Sequence, residues 1–289
     1  MTVTVTYTAT DMFNQKGTAS YSYKLDNELP TFAAGSVTTT TSPALSADSK
    51  NWYNTNAVAY KVVAADGKTG DSGVSTIQYT TSANPSADSD WTDMIPTENA
   101  GEYTGTIIFP AQGANTVKFR AKDRAGNVST ESNNATSKVY IDTKAPDGVS
   151  LKTVDGVSFT GRKLANGENP VEVVATVKDY TAISGENAGT DASGIKQVTL
   201  IYDGEVQTGV TGTAAGNDYT FSVSDTLIKA SGEAGKTLVQ IGVRVEDNVK
   251  NSYDVNLFAL NIDSTPPADI KISELMDADS DTDGYTVNK

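Results

Sequence analysis

Residues 116–146 decide the fold that the sequence predicts, and they read TVKFRAKDRAGNVSTESNNATSKVYIDTKAP. Apolar residues alternate along the first part of this stretch, and a turn that carries Asp123 and Asn127 follows. A returning strand ends at Ile141, and the boundary sequence DTKAP comes directly after it. Apolar alternation on both sides of a polar turn is typical of an antiparallel β-hairpin with one buried face.

The same pattern occurs twice more, once towards each end of the chain. The N-terminal copy, residues 4–30, reads TVTYTATDMFNQKGTASYSYKLDNELP, and the C-terminal copy, residues 243–267, reads VRVEDNVKNSYDVNLFALNIDSTPP. The boundary aspartates of the three copies are Asp26, Asp142 and Asp263, which are 116 and 121 residues apart. A repeat of this length indicates tandem domains.

The composition narrows the fold and excludes several functions. The 289 residues are rich in Thr, Ser, Gly, Asn, Asp and Val, which favours strands and turns over helices. The net charge of −14 argues against a nucleic-acid interface. The chain has no cysteine and no histidine, so disulfides, thiolate metal sites and histidine-based catalysis are excluded. No apolar run is long enough to predict a transmembrane helix.

The sequence predicts an all-β chain of tandem immunoglobulin-like (Ig-like) Greek-key β-sandwiches. The predicted parts are a C-terminal hairpin of a preceding repeat at 1–30, complete Ig-like domains at 31–146 and 147–267, and the start of a following repeat at 268–289. Ser72 and Asp142 are 70 residues apart, and so are Ser193 and Asp263, which supports this division. We therefore expect the chain to be a fragment of a longer protein.

Helical periodicity is absent from the sequence, so the segments between strands are predicted to be loops. The longer segments Tyr180–Asp191 and Thr226–Gly235 are predicted to be surface insertions in the second complete domain. In the first complete domain, Trp91, Met94 and Tyr103 are predicted to belong to the core.

Three motifs carry a resemblance to a known family. They are Asp71-Ser-Gly-Val74, Asp123-Arg-Ala-Gly-Asn127 and Ile141-Asp-Thr-Lys-Ala-Pro146, and together they resemble the bacterial Ig-like repeats of large surface proteins and adhesins. The resemblance covers the whole chain. It weakens in the second copy, where Val249-Lys250 replaces Ala-Gly, and at the N-terminus, where Gln15 replaces Asn. It implies a modular protein on the bacterial cell surface.

Aspartates at strand ends and linkers are the main candidates for a functional site. The predicted Ca²⁺ ligands at domain junctions are Asp26, Asp66, Asp71, Asp123, Asp142, Asp179, Asp191 and Asp247. In an Ig topology these positions meet at one pole, where unpaired carboxylates repel and a hard cation with oxygen ligands relieves the repulsion. The resemblance adds that some giant bacterial Ig-like adhesins hold Ca²⁺ at such junctions. The alternative is that each aspartate caps its own turn.

Other residues raise further hypotheses. The acidic run Asp277–Asp283 matches the start of an EF-hand loop whose closing position falls one residue beyond Lys289, but no strong helical pattern precedes it. An acidic loop of a following repeat is the alternative. Glycan binding through an exposed aromatic ring is a second hypothesis, and its candidates are Trp52, Tyr53, Trp91 and Tyr180. A pair of catalytic carboxylates is disfavoured because the aspartates occupy repeating structural positions.

These observations predict a structural stalk or spacer in an extracellular bacterial surface protein, with no enzymatic activity of its own. Neighbouring repeats of the same chain are the expected partners, and neither nucleic acid nor membrane insertion is expected. An adhesin module that recognises a glycan or a host protein through the inserted loops is the alternative. An accessory region of a secreted glycoside hydrolase is the second alternative, and Lys–Asn isopeptide cross-links stay open.

Overall fold

The computed structural model describes residues 1–45, 50–67, 72–130, 134–159, 161, 163–179, 192–263 and 265. The chain divides into two compact units. The first unit comprises residues 1–148, 178–196 and 246–253, and the second comprises 149–177, 197–245 and 254–289. Strands dominate both units, because β-branched residues alternate with polar ones along most of the sequence. The four-part division predicted above stays a prediction.

The first unit begins with a two-stranded hairpin, in which β1 (Thr2–Thr10) pairs antiparallel with β2 (Lys16–Lys24). Threonine and serine hydroxyls bond across one face, as Thr4 does with Ser22 at 2.7 Å. The other face carries the apolar residues, and its Tyr7 and Tyr21 are 68% and 69% exposed. The prediction that the apolar face of this hairpin is partly buried is therefore wrong. In the described part of the chain, no second sheet covers that face.

A β-sandwich follows in the first unit. Its strands are β3 Pro30–Thr31, β4 Val37–Thr39, β5 Ala44–Leu45, β6 Asn51–Tyr53, β7 Ala57–Val63, β8 Ala65–Asp66, β9 Val74–Thr80, β10 Thr92–Asp93, β11 Ile95–Pro96, β12 Glu102–Ile108, β13 Gly113–Asp123 and β14 Ala135–Ile141. One sheet has the order β11-β12-β7-β4, the other has the order β10-β9-β13-β14-β6-β5, and β3 pairs with β8. Neighbours that are distant in sequence, such as the parallel pair β6 and β14, give the Greek-key character.

The core of this sandwich comes from alternate residues of facing strands. On β7, Val58 and Val62 are fully buried, and on β13, Val117 and Phe119 are fully buried. The ring of Tyr60 packs against that of Phe119, with centroids 5.4 Å apart. The polar residues between these positions face away from the core, which is the pattern that the alternation predicts.

The later strands repeat this arrangement. They are β15 Gly148–Val154, β16 Val157–Ser158, β17 Lys163–Ala165, β18 Val171–Lys178, β19 Ile195–Tyr202, β20 Glu205–Thr211, β21 Thr213–Ala215, β22 Asp218–Val223, β23 Leu238–Asp247 and β24 Ser252–Ile262. Their sheets have the orders β16-β15-β18-β22-β21 and β17-β24-β23-β19-β20. Strands β15, β18, β22 and β21 follow one another as β4, β7, β12 and β11 do, and β17 pairs in parallel with β24 as β6 does with β14. The prediction of tandem Ig-like sandwiches is confirmed.

One prediction about the second unit is wrong, because Thr226–Gly235 is not a loop. An α-helix, α1, covers Asp225–Glu233. The hydroxyl of Ser224 accepts a hydrogen bond from the backbone N–H of Leu227 and so caps the helix, while Ile228 is fully buried. A helix this short shows little periodicity in the sequence, so its cap and one buried side chain are its main signals.

Candidate metal centre

The described residues contain two groups of three carboxylates that meet. Asp26, Asp66 and Asp123 form one group, and Asp142, Asp179 and Asp247 form the other. In each group, one oxygen from each of the three side chains lies within 4.8 Å of the others. All six residues belong to the first unit.

The two groups are built from corresponding positions in the repeat. One member follows a hairpin, as Asp142 does immediately after β14. A second member lies at the end of a strand, as Asp66 does in β8 and Asp179 does just after β18. The third member ends a long strand, and here the residues are Asp123 in β13 and Asp247 in β23. The strands that carry the second and third members belong to different sheets in both groups, so the members meet where strand ends of separate sheets pack together and not along one strand pair.

The third member of each group also caps the turn that follows it. Asp123 Oδ1 accepts a hydrogen bond of 2.8 Å from the backbone N–H of Asn127, and Asp247 Oδ1 accepts one of the same length from Asn251. Asp11 does the same in the N-terminal hairpin, where Gln15 donates at 2.9 Å. The sequence offered turn capping as the alternative to Ca²⁺ binding for these aspartates. Turn capping occurs in all three hairpins.

Two asparagines connect these turns to the segments that follow the preceding hairpin. Nδ2 of Asn251 donates to Oδ2 of Asp247 at 2.7 Å and to the backbone carbonyls of Asp142 and Lys144 at 3.1 and 3.2 Å. Nδ2 of Asn127 donates to Oδ2 of Asp123 at 2.7 Å and to the Asp26 carbonyl at 3.1 Å. Sequence reasoning recognised these asparagines only as turn residues. Their recurrence four residues after each aspartate was the available signal.

Two Ser-Gly pairs supply further hydrogen-bond donors to the groups. The backbone N–H of Ser193 donates to Asp142 Oδ2 at 2.7 Å, and that of Gly194 donates to Asp179 Oδ2 at 2.8 Å. In the first group, Ser72 and Gly73 donate in the same way to Asp26 and Asp66, at 2.5 and 2.6 Å. In the sequence, Ser72 and Ser193 only mark the repeat, so their role as hydrogen-bond donors was not predicted.

The second group is the more deeply buried. Asp142 and Asp247 are fully buried, and Asp179 is 9% exposed. The pKa of Asp247 is raised to about 6, mainly by burial; the charge of Asp142 adds to the rise, and hydrogen bonds from Asn251 and Val249 oppose it. In the described part of the chain, no lysine or arginine forms an ion pair with Asp142 or Asp247.

The first group is more open to solvent. Asp26 and Asp66 are half-buried, and Asp123 is 3% exposed. Hydrogen bonds from Ser72 lower the pKa of Asp26 below its usual range. The carboxyl group of Asp26 therefore keeps its negative charge more easily than that of Asp247 does.

The donor set of both groups suits a hard divalent cation. Every converging side chain offers carboxylate oxygen, and Ca²⁺ takes six to eight oxygens in adaptable geometry, completed by carbonyls and water. Neither thiolate nor imidazole is present in the chain, so the softer transition metals are disfavoured. A cation would offset the repulsion between the converging carboxylates.

The other predicted site residues have separate outcomes. Asp71 and Asp191, the loop Tyr180–Asp191 with Tyr180 itself, and the run Asp277–Asp283 lie outside the described residues. Trp52 and Tyr53 are each only 1% exposed, so the hypothesis that they stack on a glycan is wrong. Adjacent residues of a strand face opposite sides, so the two rings are buried separately. Tyr53 lies in the core of the sandwich, and the ring of Trp52 packs against that of Tyr140, with centroids 5.2 Å apart.

The predicted core residues near Trp91 have different outcomes. Met94 and Tyr103 are buried, as predicted. Trp91 is only half-buried, so the prediction that it packs inward is wrong in part. The guanidinium of Arg120 lies over its indole ring, 4.5 Å from the centroid, and holds the ring at the surface.

No protein-family model matches the sequence, and no curated protein matches it. Solved structures with a similar fold include a Ca²⁺-stabilised adhesin with which an Antarctic bacterium binds ice, at 18% identity and a TM-score of 0.39 over 91% of this chain and 57% of that one. A 1.5-MDa bacterial ice-binding adhesin is similar at 17% identity and a TM-score of 0.40, over 91% and 75%. The fibronectin(III)-like modules of Clostridium thermocellum CbhA are similar at 16% identity and a TM-score of 0.34, over 78% and 93%.

Similarities at these identities and TM-scores carry no information on function. The predicted resemblance to Ig-like repeats is confirmed at the level of the fold by the sheet order described above. Among the helices of the described residues, none is both long enough and apolar enough to cross a bilayer.

Proposed function

We propose that this chain is a spacer region of a modular extracellular bacterial surface protein, in which Ca²⁺ restrains the segments that follow successive hairpins. The observation that supports this proposal is the recurrence of one three-carboxylate group at corresponding positions of the repeat. Each group combines a residue from such a segment with residues from two strand ends. A cation bound to all three reduces the freedom of the segment relative to those strands.

Features around the carboxylates favour this role. Pro30 and Pro146, which close the two segments, are buried and have a fixed backbone φ angle. Asn127 and Asn251 bond the segment carbonyls from the hairpin turns. A surface with a net charge of −14 keeps a chain of exposed strands soluble and attracts divalent cations. The proposal includes no catalytic step.

Thermal unfolding of the full chain tests cation binding. The chain is first treated with a chelator and then melted with added Ca²⁺ or Mg²⁺. We expect Ca²⁺ to raise the melting temperature by several degrees, since a ligand at about 100 times its Kd stabilises a site by about 2.7 kcal/mol. The rise should become smaller when Asp142 and Asp179 are both replaced by Asn, because only the first group then keeps its three carboxylates. Asp254→Asn, which removes a carboxylate paired with Arg244, is the matched control and should keep the rise.

Limited trypsin digestion tests the restraint on the segment itself. Lys144 is exposed, and its carbonyl accepts a hydrogen bond from Asn251. We expect Ca²⁺ to slow cleavage after Lys144 in the wild type but not in the double variant. Cleavage after Lys16, the exposed first residue of β2, should keep its rate and serves as the internal control. If Ca²⁺ changes neither the melting temperature nor the cleavage rate, the proposal is contradicted. The aspartates would then be turn caps only.

A further inference from the structure

A cavity on the first unit has no part in the carboxylate groups. It has a volume of about 400 Å³ and lies beside the exposed face of the sheet that contains β9, β13 and β14. The described side chains that line it include Trp91, Lys118, Arg120, Asn134 and Asp88. Ligand pockets in proteins fall in this size range and combine an aromatic surface with a few converging polar groups.

The aromatic surface of the cavity is held in a fixed position. Arg120 lies over the indole of Trp91, 4.5 Å from the ring centroid. Its Nε donates to Gln78 Oε1 at 2.8 Å, and its Nη2 donates to Asp88 Oδ1 at 2.7 Å. Asp88 also pairs with Lys122 at 3.3 Å. The guanidinium is therefore neutralised and serves to orient the ring, which is half-buried and contributes to the cavity wall.

The other polar side chains that line the cavity offer more hydrogen-bond donors than the neighbouring acceptors use. Lys118 Nζ donates to the Ala83 carbonyl at 2.5 Å, which uses one of its three N–H groups. Ser129 Oγ accepts from the Ala121 N–H and donates to Asn134 Oδ1 at 2.6 Å. This chain of bonds leaves Nδ2 of Asn134 as a donor without a partner in the described part of the chain.

The charge of the lining distinguishes it from the rest of the molecule. The described lining residues carry two cations, Lys118 and Arg120, against one carboxylate, Asp88, and Arg120 and Lys122 share that carboxylate. The chain as a whole has a net charge of −14. A ligand that fits here offers an apolar face to the indole, several acceptors to Asn134 and Lys118, and a negative charge to the ammonium.

We propose that this cavity binds an acidic oligosaccharide through a carboxylated sugar ring. The C–H face of a pyranose ring stacks on Trp91, the carboxylate pairs with Lys118, and ring hydroxyls accept from Asn134. Aromatic rings provide rigid contact area at low entropic cost, and a charged hydrogen bond adds selectivity for the acid. The site lies on the sheet of the first unit and does not involve the loops that were predicted to bind a glycan.

Binding of a short oligogalacturonide to the full chain tests this inference, with the neutral galactose oligomer of the same length as the paired probe. Calorimetry gives the affinity, and the fluorescence of Trp91 reports contact with the ring. We expect measurable binding of the acidic probe only, and weaker binding at high salt. Lys118→Gln should weaken binding roughly tenfold, the usual effect of losing one hydrogen bond to a charged group. Lys16→Gln, the same charge change at the exposed start of β2, should have no effect.

Trp91→Ala should abolish binding, and Trp91→Phe, which keeps an aromatic face, should retain part of it. A thermal melt of each variant confirms that the sandwich is folded, and the result for Lys118→Gln does not depend on the tryptophan. Equal binding of the neutral and acidic probes would overturn the inference. So would the absence of heat and of a fluorescence change with millimolar acidic probe, or binding that Lys118→Gln leaves unchanged.

Discussion

A buried carboxylate of this protein that caps a turn keeps acceptor sites for the proposed cation. Asp247 accepts backbone hydrogen bonds from Val249 and Asn251 on one oxygen and a side-chain bond from Asn251 on the other. An ionised carboxylate has about four acceptor sites, so these bonds do not exhaust it. The two readings of the aspartates, turn caps and metal ligands, are therefore compatible for the same residue.

The raised pKa of Asp247 predicts a pH dependence of stability in the metal-free protein. Folding raises this pKa from 3.8 to about 6, so the folded state binds the proton more tightly than the unfolded state does. The resulting stabilisation is complete below about pH 4 and is lost as the pH rises through about 6. It amounts to about 3 kcal/mol, because each unit of pKa shift corresponds to about 1.4 kcal/mol.

Denaturant unfolding in the presence of a chelator, at several pH values, measures this effect. Asp247→Asn removes the titrating group, so the unfolding free energy of the wild type relative to this variant should fall between about pH 4 and pH 6. Asp93→Asn, an exposed substitution, should follow the wild type. A difference between wild type and Asp247→Asn that stays constant with pH would contradict the raised pKa.

At the scale of elements, the hairpin turn is the unit that recurs. In each turn the fourth residue, counted from the capping aspartate, has a positive φ angle, which is 61° at Asn14, 96° at Gly126 and 73° at Lys250. This backbone region favours glycine and asparagine over other residues. The Ala-Gly of the middle copy is therefore the relaxed form, and Val-Lys is the strained form of the same turn.

Gly126→Ala isolates the conformational requirement of this turn. A Cβ at Gly126 would meet no atom within 4 Å, so the cost is backbone strain alone. We expect a loss of about 1–2 kcal/mol in the unfolding free energy. Gly17→Ala in β2 also meets no atom within 4 Å and has no positive φ angle, so it should be neutral or slightly stabilising. Equal effects of the two substitutions in chemical denaturation would argue against the strain.

The helix α1 was not predicted because its sequence has no clear helical pattern. Its nine residues include Ser231 and Gly232, both poor helix formers in the interior. Tertiary contacts stabilise it instead. Ile228 is fully buried, and the hydroxyl of Tyr202 in β19 donates to the Leu227 carbonyl at 3.2 Å and bonds Ser231 Oγ at 2.9 Å. These partners are distant in sequence and leave no periodic signal.

At the scale of the molecule, the three copies of the hairpin differ in how far their apolar faces are buried. In the first sandwich, the apolar face of β13 and β14 is buried, with Phe119 and Ile141 fully inaccessible. The corresponding face of β1 and β2 carries Tyr7 and Tyr21, which remain largely exposed in the described residues. Since a two-stranded sheet alone is marginally stable, the copies should differ in local stability although their sequences are alike.

Amide hydrogen exchange of the full chain measures this difference. The backbone amides of β1 and β2 should exchange as fast as those of fraying segments. The amides of β13 and β14 should exchange much more slowly, because their exchange requires larger openings of the sandwich. The corresponding pair β23 and β24 should behave like β13 and β14, because Ile241 and Leu260 are fully buried. Equal protection in all three hairpins would show that the tyrosine face of the first is covered in solution.

The sequence by itself determined the class of structure, the repeat and the hairpins. Alternation, turn residues and the spacing of Asp26, Asp142 and Asp263 are local or periodic signals, so they are readable without contacts. The sequence also predicted that aspartates at strand ends meet at one pole of a domain, because an Ig topology places the ends of alternate strands together.

Only the tertiary structure decided which side chains share an environment. Long-range packing of strand ends brings Asp179 and Asp247 beside Asp142, attaches Asn251 to the Lys144 carbonyl, and leaves Trp91 beside a cavity. Burial of Trp52 depends on the pairing of β6 with β14. These outcomes rest on contacts between residues tens of positions apart, and the free energies that favour them do not appear in any short stretch of sequence.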